Sequence, residues 1–339
     1  MLIINGTVHT MEGLTIPGGY VEIRGNKIAG FGPMEECPKQ WEGEVFDAQG
    51  GHIQPGFVDA HCHLGMFGDA VGVEGDDGNE ATDPCTPHLR AVDAINPMDR
   101  CFQEAREAGV TTVLTGPGSA NPISGQFAAI KTNGRWVDAM VLQAPAAMKL
   151  ALGENPKLTY HERRETPTTR MATAAVIREN LAKAEEYREK LERALEDEEE
   201  EKPEYDAKLE ALLPVLRGEL PVHIHAHRAD DIVTGIRICK EFHLRYVIVH
   251  GTEGHLIPDL LAEEGEQYAL TADFKVLDDH EASLLRRRVL DRVLEAFYQE
   301  LDEGGTLLAD TLGAGRDDSR LAELVLEIHE KLQSHADPE

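Results

Sequence analysis

The sequence predicts an α/β protein with four parts: a small β-unit over residues 1–52, strands alternating with helices over 53–265, a helical insertion at 169–218, and a helical tail over 266–339. Three observations carry this. Short β-type runs separated by turn residues fill the first fifty positions. From Ile53 onward, apolar strand-like runs that end in titratable residues alternate with amphipathic stretches, the pattern of a parallel α/β sheet. Beyond Gly265, apolar residues recur at helical intervals.

In the N-terminal part the runs are LIINGTVHT, GGYVEIRGNKIAGFG and GEVFDAQGGHIQPG, with Gly25-Asn26 placed for a tight hairpin between YVEIR and KIAGF. The next strand, FVDAH, leads into His61-Cys62-His63. An amphipathic helix over Asp99–Ala108 precedes a strand at Gly109–Thr115. Further strands are expected at Asp138–Leu152, Pro221–His225 and Tyr246–His250. In the insertion, Leu181, Ala184, Leu191 and Leu195 mark one helical face and Leu209, Leu212, Leu213 and Leu216 another. The acidic run Glu196–Glu201 marks the tip of the hairpin. In the tail, Leu284, Leu285, Val289, Val293 and Phe297 form one stripe; Leu321, Leu324, Val325, Ile328 and Leu332 form a second.

Thirty-three basic against 62 acidic residues give a formal charge of −29. Such a chain repels phosphate backbones and anionic lipids, so neither nucleic acid nor membrane is an expected partner. Five scattered cysteines without a CxxC pair, and an N-terminus without a basic leader and apolar core, point to a reduced cytoplasm. A small-molecule substrate is expected; a homo-oligomer is left open.

The chemistry starts at QPGFVDAHCHLG. Alternation along a strand puts His61 and His63 on one face and Cys62 on the other, with Asp59 a step back on the histidine face, placed to orient a ring. An isolated HxH is more often a pair of surface histidines. Here two further strands also end in histidines: PVHIHAHRADDI aligns His223, His225 and His227, and YVIVHGTEGH ends at His250. In a parallel barrel such strand ends meet at one face. Imidazole suits zinc, with manganese or iron as alternatives. Lys149 in MKLALGENPK reads equally as a lysine beside a dication or as a surface lysine paired with Glu154. Glu74, Asp76 and Asp77 follow HxH in a glycine-rich loop, and Ser119 and Asn121 lie in the loop after the second barrel strand. These loops, with His227, Arg228, Glu253 and His255, are candidates for substrate contact or ordinary polar turns.

PGFVDAHCHLG, TTVLTGPGSANPISGQ, MKLALGENPK, HIHAHRADDI and VIVHGTEGH together resemble the metal-dependent amidohydrolase superfamily, in its imidazolonepropionase-like and prolidase-like branch. The resemblance covers about residues 1–265. It implies a TIM-type (β/α)8 barrel flanked by a β-sandwich built from both chain ends. It implies one or two divalent ions held by His61, His63, His225 and His250, with Lys149 matching a carboxylated bridging lysine. It also implies hydrolysis of amide or cyclic-amide C–N bonds by a metal-activated water.

The resemblance further implies two more strands and an aspartate at the end of the eighth. No such motif follows His250; Asp273 and Asp310 are the nearest acids in apolar surroundings, and no residue is assigned as general base. Residues 267–339 instead resemble an internal piece of the helicase subunit of AddAB-type helicase-nucleases. No GxxxxGK[ST] loop is present, so that family's motor chemistry is not expected. The expectation is therefore an incomplete barrel of about six βα units joined to a foreign helical tail, with impaired turnover. A non-catalytic metal-binding or interaction remnant is the alternative, and a helicase-nuclease accessory ranks third.

Overall fold

The computed structural model describes residues 1–68, 72–197 and 200–261, and the chain divides into two units, Met1–Gly251 and Thr252–Glu339. The helical tail, Asp273 and Asp310 lie outside the described residues, as does any contribution of the C-terminal end to a sandwich. Among the described residues, no helix is long and apolar enough to cross a membrane.

The first unit opens with a five-stranded sheet in which β1 (Leu2–His9) is central, antiparallel to β2 (Thr15–Arg24) and parallel to β4 (Val45–Asp47) and β5 (His52–Ile53). β2 turns into β3 (Lys27–Pro33) at Gly25-Asn26, as the sequence predicts. A φ of 60° at Gly25, with no positive φ at Asn26, is the pattern of a II′ turn, whose twist matches that of the flanking strands.

The second sheet holds six strands in the order β11-β10-β9-β8-β7-β6, where β6 is Phe57–Cys62, β7 Val110–Thr115, β8 Ile123–Lys131, β9 Val141–Ala151, β10 Val222–Ala226 and β11 Tyr246–His250. Its C-terminal side chains converge on one face, as in a TIM-like fold. Five strands run parallel; β8 runs antiparallel to both neighbours. This corrects the expectation of about six βα units. The segments 116–122 and 132–140 that flank β8 are too short for the helical crossover a parallel strand requires.

Helix α1 (Arg100–Glu107) is capped by the Asp99 carboxylate, which accepts from the Cys101 N–H. Its Phe102 joins Met66, Ile95, Val113, Ile130 and Met140 in a buried core, the last of these on the one-turn helix α2 (Val137–Met140). After β9 come α3 (Glu154–Arg163) and the hairpin α4 (Arg170–Glu196) and α5 (Ala207–Leu216). On α4 the buried stripe is Thr173, Ala174, Ile177, Leu181, Ala184 and Tyr187. Leu195 is 87% exposed and leaves the face assigned to it from sequence, because α4 outlasts its partner by several turns. Helix α6 (Ala229–Glu241) covers the outer side of β10. A Cβ at Gly235 would stand 3.2 Å from Ile224 and 3.3 Å from Leu152, so glycine permits the close approach.

Candidate metal centre

Strand β10 is buried along its whole length. Val222, Ile224 and Ala226 alternate with His223 and His225, and α6 lies against the Ile224 side, so the two imidazoles turn to the opposite, concave face. His227 continues the same parity one step past the strand. On β11 the register sets His225 beside Val249, and His250 beside outward-facing Ala226. His250 nevertheless meets the histidines. Its φ of 72° is the reason: the left-handed backbone breaks the alternation and returns the ring to the concave side. That conformation is strained for a residue with a side chain and is held by its surroundings.

The rings pack closely. His225 meets His227 at 4.7 Å and His250 at 4.6 Å between centroids, while His227 stacks on His250 at 4.7 Å and 15°. One donor atom from each of His225, His227 and His250 lies within 4.8 Å of the others. His61 stands 5.9 Å from His250, 5.4 Å from His63 and 5.8 Å from His223. Beneath them Lys149, 0% exposed, sets its Nζ 3.0 Å from His61 Nε2.

The surface reading of Lys149 is thus excluded, and Glu154 instead faces Arg170 at 3.8 Å. Burial lowers the Lys149 ammonium to about 7. Burial, and then the charge of Lys149, lowers His61 to about 2, His225 to about 3 and His223 to about 4. His63 and His250 shift the same way, burial leading in each. The imidazoles are therefore neutral at physiological pH, the form that ligates metal.

Asp59 does not orient a ring: its Oδ1 accepts from the backbone N–H of His61. His63 Nδ1 instead faces the Gly116 carbonyl at 2.7 Å. Asn121 is 2% exposed and committed to protein partners, donating to Glu80 O and Thr86 Oγ1 and accepting from the Tyr160 hydroxyl at 2.7 Å. Ser119, in the same loop, is buried. Arg228 forms a two-point pair with Asp230. Glu74 is exposed on a short 3-10 turn, Gly72–Gly75. Asp76 and Asp77 line a separate cavity of about 290 Å³ with His88 and Arg90. His255 and Glu253 belong to the second unit.

Sequence reasoning passes over Phe127. It is wholly buried, stacks on His61 at 4.9 Å and 22°, and lies 5.7 Å from Lys149 Nζ. The loop expected over TTVLTGPGSANPISGQ runs straight into its strand, and the alternation in ISGQFAAIK is the signal that could have found it.

The donor chemistry fits a divalent ion. His225 is 4% exposed and neither ring nitrogen has a hydrogen-bond partner; His61 Nδ1 and His223 Nδ1 are likewise unpartnered. Buried polar atoms seldom stay unsatisfied.

No family model matches the chain. It is 32% identical over 249 residues to the amidohydrolase tasK of Hapsidospora irregularis, covering 68% of this chain and 25% of that protein. Among solved structures, an amidohydrolase from Thermotoga maritima superposes with a TM-score of 0.73 at 44% identity, covering 78% of this chain and 67% of that one. The TIM-like curl of the sheet and the histidine-lined centre place the chain in a structural class shared with these proteins. The chain belongs to the amidohydrolase superfamily. A second, shorter likeness is to an ATP-dependent helicase/nuclease subunit from Heliobacterium modesticaldum, 38% identical over 90 residues. The chain spans a quarter of the length of tasK and 6% of the helicase/nuclease protein.

Proposed function

We propose that the chain is a metal-dependent hydrolase of amide or cyclic-amide C–N bonds, in which His61, His63, His225, His250 and Lys149 hold one or two divalent ions, with zinc first and manganese or iron as alternatives. The observation that carries this is His225: a buried imidazole with both nitrogens unpartnered, whose donor lies within 4.8 Å of donors from His227 and His250. His227 has the geometry to join the set. When bound, the ion supplies a water of near-neutral pKa and polarises the scissile carbonyl. The chain's own residues hold the buried imidazoles in the neutral state and keep bulk water from the floor, where Phe127 and Lys149 are fully buried.

The donors gathered among the described residues are imidazoles and an amine, Asp59 Oδ1 accepts from the His61 backbone N–H, and no eighth-strand aspartate motif follows His250 in the sequence. We therefore place turnover below that of an enzyme with a positioned general base, which contributes a factor of about 10² to 10⁴. Metal analysis of the purified protein beside His61→Ala and His225→Ala tests the site. Metal in the wild type and its loss in both variants are expected; equal content in all three would remove the centre. Metal without hydrolysis of any amide or cyclic amide in a substrate panel would favour the non-catalytic alternative.

A further inference from the structure

Ligating imidazoles almost always give their second nitrogen to an acceptor that fixes the ring. His63 follows this rule through the Gly116 carbonyl. His61 does not: its Nε2 faces Lys149, and its Nδ1 is buried without a partner. The face of Phe127 packs flat on the His61 ring at 4.9 Å and 22°, while His63 and His250 meet that ring edge-on. The same aromatic ring lies close to Gly116, whose carbonyl faces His63 Nδ1: a Cβ at Gly116 would stand 2.4 Å from Phe127 Cδ2. One side chain thus touches His61 directly and lies against the residue whose carbonyl faces His63.

Resting on the reading that His61 and His63 are ligands, we infer that Phe127 is a positioning residue of the centre, replacing with an aromatic face the hydrogen bond that His61 Nδ1 lacks. It comes from the antiparallel strand β8, paired with Ala147 of β9, so a strand outside the parallel set supplies it.

The test uses the full chain, stripped with a chelator and titrated with Co²⁺ while the visible absorption is recorded. Phe127→Leu keeps an apolar group but loses the flat face; Phe127→Tyr keeps the ring. The leucine variant is expected to bind Co²⁺ about 10- to 100-fold more weakly, with altered ligand-field bands. The tyrosine variant is expected to retain wild-type bands. Should Phe127→Leu fail to fold by circular dichroism, Phe127→Met takes its place. Wild-type affinity and bands in the leucine or methionine variant would overturn the inference, as would an equal loss in the tyrosine variant. A wild-type protein that takes up no Co²⁺ would overturn the metal reading itself.

Discussion

The rings of His61 and His250 meet edge to face at 5.9 Å although they come from the two outermost strands of the six-stranded sheet. The sheet therefore curls enough for its first and last strands to share one centre. That meeting depends on the left-handed backbone at His250. His250→Asn keeps a residue tolerant of that conformation and removes the imidazole, whereas His250→Val removes both. Both variants should lose metal. The valine variant should also be less stable than the asparagine variant by about 1–2 kcal/mol in urea titration of the metal-free protein.

Gly116→Ala places a methyl 2.4 Å from the Phe127 ring and 2.9 Å from its Cα. Overpacking of this kind costs about 1–3 kcal/mol. Because the Gly116 carbonyl must move, metal affinity should fall along with the denaturation midpoint.

Asn121 is tied to protein partners on three sides. Tyr160→Phe removes the hydroxyl that donates to Asn121 Oδ1 and leaves a buried acceptor short of a partner. The expected loss is about 1–3 kcal/mol of stability with metal content unchanged. A change in metal content without loss of stability would instead tie Asn121 to the centre.

Arg170 donates to both oxygens of Asp231, whose side chain is 4% exposed. Arg170→Met strands that carboxylate and should cost about 3–5 kcal/mol at pH 7, most of it recovered in Arg170→Met/Asp231→Asn. Burial raises the Asp231 carboxyl even against Arg170. A raised folded-state value means that the folded protein takes up the proton first, so the deficit of the single variant should shrink as pH falls below neutrality.

The strands that lead to the centre are legible in the sequence because their signals are local. Alternation in VHIHA sets His223 and His225 on one face, and runs such as YVIVH end where the strand ends. What is not legible depends on distant packing. Lys149 reads equally as beside a dication or as a surface residue until β8 and β10 are seen to flank its strand, and the positive φ that brings His250 to its fellow histidines leaves no mark in the sequence. Phe127 carries no motif; it matters only because β8 turns back and brings it against His61.

That reversal of β8 bears on how the polypeptide assembles. β7, β8 and β9 form a meander closed by segments 116–122 and 132–140, whereas β10 joins β9 only across the intervening residues 152–221. Closing the short segments costs less chain entropy, so the meander should form early and serve as the template on which the later parallel strands dock. Exchange protection in β7–β9 would then be acquired before protection in β10 and β11 during refolding, and Lys149 would already be in place when His225 arrives.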